Sequence, residues 1–587
     1  MRRIAVGFFA GVGVLAVLLI IAVAIVIIRL KPGTPALPGN IILSVDLTQG
    51  LADRPDQGGW LELIVGAKPT LRDFLDAIEA AGDDPRVKGL VARIGSDQFA
   101  LAEAQQIRDA IRGFRAKGKF AIAFSDSFGE FGGGTRPYYL ASAFDRIWLQ
   151  PMGTVGLTGL YAETPYFKGT LDMLGIVAEF DHIGRYKTAA NVLTNTRMTA
   201  PDREQIEALL ASASAQVVAG IAEGRKLSPG AVRAAIDSGP LLPDEALQAK
   251  LVDHIGYRDE AITAARKRAG AQAKLVGLST YLGGAERPNR AGARIALIYG
   301  SGLIVSGSGS DGPLSGSAEM AADDVVRAFR AAVRDPKVRA ILFRIDSPGG
   351  SVTASETIWR AVEQAGKAGK PVIVSMGDMA GSGGYYIAAP AAKIIAEPAT
   401  LTGSIGVLAG KVVVSGLLKK IGVTTDSAQF GANAGMASAT SQFSPFAEAR
   451  VQALLDATYK GFKDHVAAGR HMGPDAVEAV AKGRVWTGAD AKAHGLVDAL
   501  GGYGTALRLA REAAGIAPEA PVALTLFPRE KPPIELLYDR LTGKQRRSTG
   551  LGAFGRAIEA VEPLLLRIDA LIEPPGTLSM PPIGQPQ

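Results

Sequence analysis

Two residues stand where hydrolytic chemistry is possible: Ser382 and Lys187. Ser382 lies in Ala-Gly-Ser-Gly-Gly-Tyr-Tyr at 380–386, a glycine-packed turn between an apolar β run at 371–374 and a helix-like run. Gly381, Gly383 and Gly384 carry no Cβ, so a substrate backbone can come close, and the N–H groups that open a helix can face a developing oxyanion. A serine hydroxyl is a weak nucleophile near neutral pH and needs a base within hydrogen-bond reach. None of the five histidines (His182, His254, His465, His471, His494) sits beside a convincing motif, and His182 reads as a partly buried polar side chain. Lysine can serve when neutral. Lowering its pKa from about 10.4 to about 7–8 means destabilising the ammonium by roughly 4 kcal/mol, through desolvation or nearby cations. Lys187 belongs to Gly-Arg-Tyr-Lys-Thr-Ala at 184–189, and Arg185 with the apolar Ala189, Ala190, Val192 and Leu193 could act on its amine. Taken singly, the serine also reads as an incidental member of a βα turn, and the lysine as an exposed surface side chain.

A duplication ties the two together. Asp-Pro-Arg-Val-Lys-Gly-Leu-Val-Ala-Arg-Ile at 84–94 matches Asp-Pro-Lys-Val-Arg-Ala-Ile-Leu-Phe-Arg-Ile at 335–345 without a gap, an offset of 251. Tyr-Tyr-Leu-Ala at 138–141 then pairs with Tyr-Tyr-Ile-Ala at 385–388, and Leu-Val-Asp at 251–253 with 496–498. A repeat this long is a doubled domain, not a solenoid unit. Each copy alternates β-rich runs (90–94 and 146–149; 295–298, 340–345 and 393–396) with amphipathic helical windows such as 102–114 and 319–333, the pattern of layered α/β structure with mainly parallel strands. At the Ser382 turn the first copy has Thr135, with Arg136 opposite Gly383; at Lys187 the second copy has Ala434. Each copy has lost what the other keeps, as a single site shared between two halves would leave behind. Ser-Pro-Gly-Gly at 347–350, kept only in the second copy, can aim the backbone N–H groups of Gly349 and Gly350 at a reacting carbonyl together with that of Gly383.

Composition narrows the remaining classes. The 587 residues are 47% apolar and 6% aromatic with 71 glycines, which suits a multidomain α/β protein. The absence of cysteine excludes disulfides, thiolate nucleophiles and Cys-based metal sites, and no two histidines have metal-ligand spacing on one helical face, so no metal or other cofactor is expected. The formal charge of +7 is scattered without an aromatic-interleaved basic patch, which argues against nucleic acid. Residues 4–28 are uncharged and nearly all apolar; at about 1.5 Å per residue they exceed the roughly 30 Å bilayer core and are expected to form a retained transmembrane helix. Flanking charge barely favours a cytoplasmic amino end at 1–3. The expected order is then a linker at 29–40, a lysine-bearing half at 41–290, a serine-bearing half at 291–525, and a Pro/Arg-rich extension at 526–587. An amphipathic window at 554–572, broken by Pro563, reads as a contact arm or disorder.

Four separated motifs in order (347–350, 380–386, Leu-Thr-Gly-Ser-Ile-Gly at 401–406, and 184–189) resemble the long duplicated form of the signal peptide peptidase A, or protease IV, family. The resemblance runs from the anchor to about residue 515. It implies tandem Clp-protease/crotonase-like domains and a Ser/Lys dyad with Ser382 as nucleophile and Lys187 as general base. It also implies that Ser404 holds the lysine amine, and that Gly383 and a glycine of the 349–350 pair bind the oxyanion. It further implies a homotetramer anchored in the bacterial inner membrane, facing the periplasm and degrading cleaved signal peptides and other apolar peptides. A crotonase-like acyl-CoA enzyme and a noncatalytic membrane-tethered scaffold are the rival readings.

Overall fold

The structure, a computed structural model, describes residues 36–54, 68–95, 98–130, 133–309, 319–528 and 577–579. The expected transmembrane stretch at 4–28 and the window at 554–572 lie outside the described residues.

Three sheets carry the chain. The first half builds a six-stranded sheet in the order His254–Ile255, Arg146–Leu149, Phe120–Ser125, Val87–Arg93, Ile41–Asp46 and Lys274–Gly277. The second half repeats it around Val372–Gly381, Val338–Ser347, Ala293–Ser301 and Val522–Leu526. Both are parallel at their centres, as the βα alternation requires. The doubling extends to single bonds. Tyr138 and Tyr385 donate their hydroxyls to the carbonyls of Leu251 and Leu496, and Ile147 and Ile394 donate N–H to the carboxylates of Asp253 and Asp498.

Helices form where apolar residues recur at helical spacing and the first turn is capped. Leu71–Asp83 opens on a capping box, with Thr70 Oγ1 accepting from Asp73 N–H and the Asp73 carboxylate accepting from Thr70 N–H. Its twin, Ala322–Arg334, buries Val325, Ala328, Phe329 and Ala332 along one face. The helix expected from 319 starts three residues later, because Glu319–Ala321 pairs as a strand with Leu303–Val305. Ala200–Arg225 is long and apolar enough by composition to span a bilayer, yet its Ala213, Val217 and Ile221 sit in the first-half core. Its partner by duplication is the equally long Pro445–Arg470.

The central second-half strands bury both faces against different neighbours. Ile295, Leu297, Leu342 and Ile373 pack into the core of the first half, whereas Ala296, Ile298, Ile341 and Phe343 pack into the core of the second. Side chains alternate faces along a strand, so one sheet serves two cores and holds the halves in a fixed relation. The third sheet joins the halves a second way. Its order is Glu319–Ala321, Leu303–Val305, Gly349–Ser351, Thr577–Ser579, Val407–Val413 and Val177–Ile183. The last strand belongs to the first half by sequence but pairs antiparallel with Val407–Val413 over seven residues.

Candidate active site

Ser382 ends the strand Val372–Gly381 and caps the helix Gly383–Ala388. It is fully buried and takes φ 53°, a left-handed backbone unusual for a residue with a Cβ. The turn is held by Ser382 N–H donating to Gly403 C=O (2.8 Å) and Tyr386 N–H donating to Ser382 C=O (2.8 Å). Gly383, first residue of the helix, has no intrahelical acceptor for its N–H. A Cβ on Gly383 would meet Ser355 Oγ at 2.7 Å and Gly350 N at 3.2 Å, so only glycine lets the elbow lie this close to the 349–350 pair.

Lys187 arrives from the other half. The strand Val177–Ile183 delivers the chain to Gly184, whose φ of 108° turns it into the loop carrying the lysine. That loop is clamped to residues 482–484 of the second half. Tyr186 N–H donates to Lys482 C=O (2.9 Å), and a Cβ on Gly483 would fall 2.5 Å from Lys187 N. Arg484 and Arg185 both bind Glu204, at 3.2 and 2.7 Å, and the Tyr186 hydroxyl donates to the same carboxylate at 2.6 Å. Thr188 Oγ1 donates to Asp202 at 2.8 Å, fastening the loop to Ala200–Arg225.

These supports bring the two residues together within one chain. Lys187 Nζ is 2.7 Å from Ser382 Oγ, 3.1 Å from Ser404 Oγ and 3.2 Å from Ser404 C=O. All three residues are 0% exposed. Ser404 also has a left-handed φ, 52°, and is tied by its N–H to Arg484 C=O (2.7 Å). The buried Ala190, Val192 and Leu193 belong to the segment that follows the lysine.

The glycine pair does not form a simple turn. The chain leaves the main sheet at Ser347, passes Pro348 and enters the third sheet as Gly349–Ser351. Gly349 and Gly350 have φ of 114° and 146°, and a Cβ on Gly350 would fall 2.2 Å from Ile304 C=O. Gly349 N–H donates to Ser347 Oγ at 3.2 Å, and Gly350 pairs with Ile304 in the third sheet. Beneath this crossover, Asp346 accepts from Met379 N–H (3.0 Å) and Asp378 from Glu103 N–H (3.0 Å). Burial, then the charges of neighbouring carboxylates, push Asp346 and Glu103 above the usual carboxylate range; burial also raises Asp378, against the pull of Arg344.

Three expectations need correction. His182 is exposed, because its strand lies at the margin of the third sheet. Arg185 is exposed and its guanidinium pairs with Glu204. Lys187 is buried, not a surface lysine. Thr135, opposite Ser382 in the duplication, has its hydroxyl bonded to Gly159 C=O (2.8 Å), and Ala434 is exposed. Gly483, Arg484, Glu204 and Asp202 escaped sequence reasoning, since Lys-Gly-Arg at 482–484 and the acids of a long helix bear no mark of chemistry.

The peptidase family S49 model matches residues 116–272 and 364–517, one segment in each half. Protease 4 of Salmonella typhi is 34% identical over 81% of this chain and 77% of that protein, and the chloroplastic serine protease SPPA of Arabidopsis thaliana is 33% identical over 79% and 68%. The chain belongs to peptidase family S49. As an S49 member it is a serine peptidase, and the layered tandem α/β architecture follows the family's duplication. Among solved structures, a mutant of the membrane-bound stomatin-specific protease 1510-N matches at 16% identity over 40% of this chain and 98% of that one, with a TM-score of 0.26.

Proposed function

We propose that this S49 peptidase is an endopeptidase that cuts extended apolar peptides, cleaved signal peptides among them, through a Ser382/Lys187 dyad. The observation that carries the reading is the 2.7 Å contact between Lys187 Nζ and Ser382 Oγ, made across the two halves in a fully buried setting. Burial disfavours an ammonium, so the desolvated amine is poised to accept a proton. Lys187 takes the Ser382 proton as Oγ attacks the scissile carbonyl, and the N–H groups of Gly383 and Gly350 receive the tetrahedral oxyanion. Collapse expels the amine half of the substrate, which takes its proton from Lys187. Water, deprotonated by the same lysine, then releases the acyl group from Ser382. Ser404, through its hydroxyl and carbonyl, keeps the amine aimed at Ser382.

Substrate shape follows from the third sheet. Gly349–Ser351 and Val407–Val413 stand one strand apart with Thr577–Ser579 between them, so an extended peptide taking that strand's place would gain main-chain hydrogen bonds on both sides. We assign residues 4–28 to a single transmembrane anchor in the bacterial inner membrane, with the catalytic halves in the periplasm and assembled as a homotetramer. A relative named as a putative signal peptide peptidase SppA, from Enterococcus faecium, 37% identical over 28% of this chain, supports placing the enzyme with signal-peptide turnover. Fluorophosphonate labelling and hydrolysis of an uncharged fluorogenic peptide test the dyad. Ser382→Ala is expected to lose both, and Lys187→Ala to lower kcat/KM by about 10²–10⁴ while keeping the wild-type circular dichroism spectrum. Near-wild-type turnover by Lys187→Ala rejects the reading.

A further inference from the structure

A cavity of about 320 Å³ lies at the seam between the two halves. The first half supplies the helices Leu71–Asp83 and Leu101–Ala116; the second supplies Glu397, the start of the helix Tyr503–Ala513, and Leu524. Leu75, Ile78, Phe114 and Leu507 give it apolar walls. Its size suits a small molecule. Neither Ser382 nor Lys187 lines it.

Two polar side chains reach this cavity from opposite halves. Gln106 is 3% exposed and Glu397 1%, and neither amide atom of Gln106 nor Oε1 of Glu397 has a hydrogen-bond partner among the described residues. Buried polar groups are nearly always paired, so an idle amide and an idle carboxyl oxygen on one cavity call for a partner from outside the chain. The backbone makes room for the amide: a Cβ on Gly502 would fall 2.5 Å from Gln106 Oε1. The fold itself does not require the pair. By the matching of 84–94 with 335–345 and of 138–141 with 385–388, Gln106 and Glu397 stand opposite Thr357 and Gln150, and Thr357 donates to Thr353 C=O of its own helix (2.8 Å).

Charge decides the class of ligand. The basic side chains of the cavity are engaged already, Arg72 with Asp76 (3.7 Å) and Leu524 C=O (3.1 Å), and Lys117 with Asp83 (2.7 Å). Glu397 and Glu79 have no ion pair among the described residues, and the cavity's remaining acid, Asp109, is exposed. We infer that the cavity binds a small primary alkylammonium ion, its ammonium donating to Glu397 and Gln106 and its alkyl chain lying on the apolar walls. Alone, the Glu397 carboxyl keeps its proton, because burial, then Asp109, and also Asp378 raise its pKa to about 8 against the pull of Arg344. An ammonium beside it favours the carboxylate and sends that proton to solvent. The bound ion joins the halves through one carboxylate and one amide, and its occupancy stabilises the folded chain by mass action.

The test is isothermal titration of the full-length protein in detergent with n-butylammonium chloride, against sodium chloride of equal ionic strength. For a ligand this small a Kd on the order of 1 mM is expected. Glu397→Gln keeps the shape, removes the charge, and should weaken binding about tenfold or more. Gly113→Leu is the second variant, since Gly113 lines the cavity and a Cβ there would meet nothing within 4 Å. Its added side chain should fill the space and abolish binding without lowering the melting temperature. Thermal melting reads the same event independently: n-butylammonium should raise the melting temperature of the wild type and, at the same concentration, of neither variant. A cavity that holds only water gives neither heat nor shift, and that result overturns the proposal. Equal Kd values in the wild type and Glu397→Gln, or binding of inorganic phosphate in preference to the ammonium, overturn it as well. Ser382→Ala should bind n-butylammonium as the wild type does, so the outcome stands apart from that of the proposed dyad.

Discussion

Ser404 offers the finest probe of the proposed dyad, because its hydroxyl touches Lys187 Nζ and is neither of the two proposed reacting groups. Its hydroxyl is 3.1 Å from Lys187 Nζ, while Ser382 Oγ at 2.7 Å and Ser404 C=O at 3.2 Å remain when that hydroxyl is removed. Ser404→Ala therefore deletes one buried hydrogen bond and leaves Lys187 in place. One such bond contributes about 0.5–1.5 kcal/mol net. If that energy is expressed in the transition state, kcat/KM should fall by about 2- to 12-fold. Lys187→Ala should cost far more, about 10²–10⁴. The left-handed φ of 52° at residue 404 introduces a second variable, since any residue with a Cβ is strained there. Ser404→Gly removes the same hydroxyl while relieving that strain. The two variants should thus lose activity alike but differ in melting temperature, glycine being the less strained. Both are to be assayed by kcat/KM on an uncharged fluorogenic peptide, by fluorophosphonate labelling rate, and by thermal melting. Wild-type kcat/KM in both, or loss as deep as that of Lys187→Ala in both, would refute the role given to Ser404.

Gly483 makes a different demand. With φ 77° and an added Cβ only 2.5 Å from Lys187 N, Gly483→Ala has to push the lysine loop away from Ser382. Displacement of about 1 Å in an acyl-transfer site can cost on the order of 10²-fold, so labelling of Ser382 should slow by that order with the fold retained; wild-type labelling would show that the clamp is not needed. Glu397 sets a pH dependence of stability. It is buried, its Oε1 has no hydrogen-bond partner, and burial, then the charge of Asp109, lifts its pKa from 4.5 to about 8. Between these values the folded chain holds a proton that the unfolded chain releases, so stability falls as pH rises from about 4 to about 8. Glu397→Gln should flatten that fall, measured as the difference in melting temperature between pH 5 and pH 9; an unchanged slope counts against it.

Much of this enzyme could be read before any coordinates. The ungapped match of 84–94 with 335–345 disclosed the duplication, because repeated apolar spacing and turn residues record a repeated βα unit whatever its surroundings. The glycines around Ser382 marked a tight strand-to-helix turn, since local backbone demands leave local residue choices. The opposed losses at Thr135 and Ala434 even implied one shared site. Contacts between distant segments are another matter. That Val177–Ile183 deserts its own half for Val407–Val413, that Gly483 and Arg484 lock the lysine loop, that His182 faces outward, and that Thr577–Ser579 pairs with Gly349–Ser351 all depend on which strand edges stand open after both cores have formed. A strand's sequence states which faces it can bury but not which edge will receive it, so the 2.7 Å meeting of Lys187 and Ser382 exists only once the halves have packed.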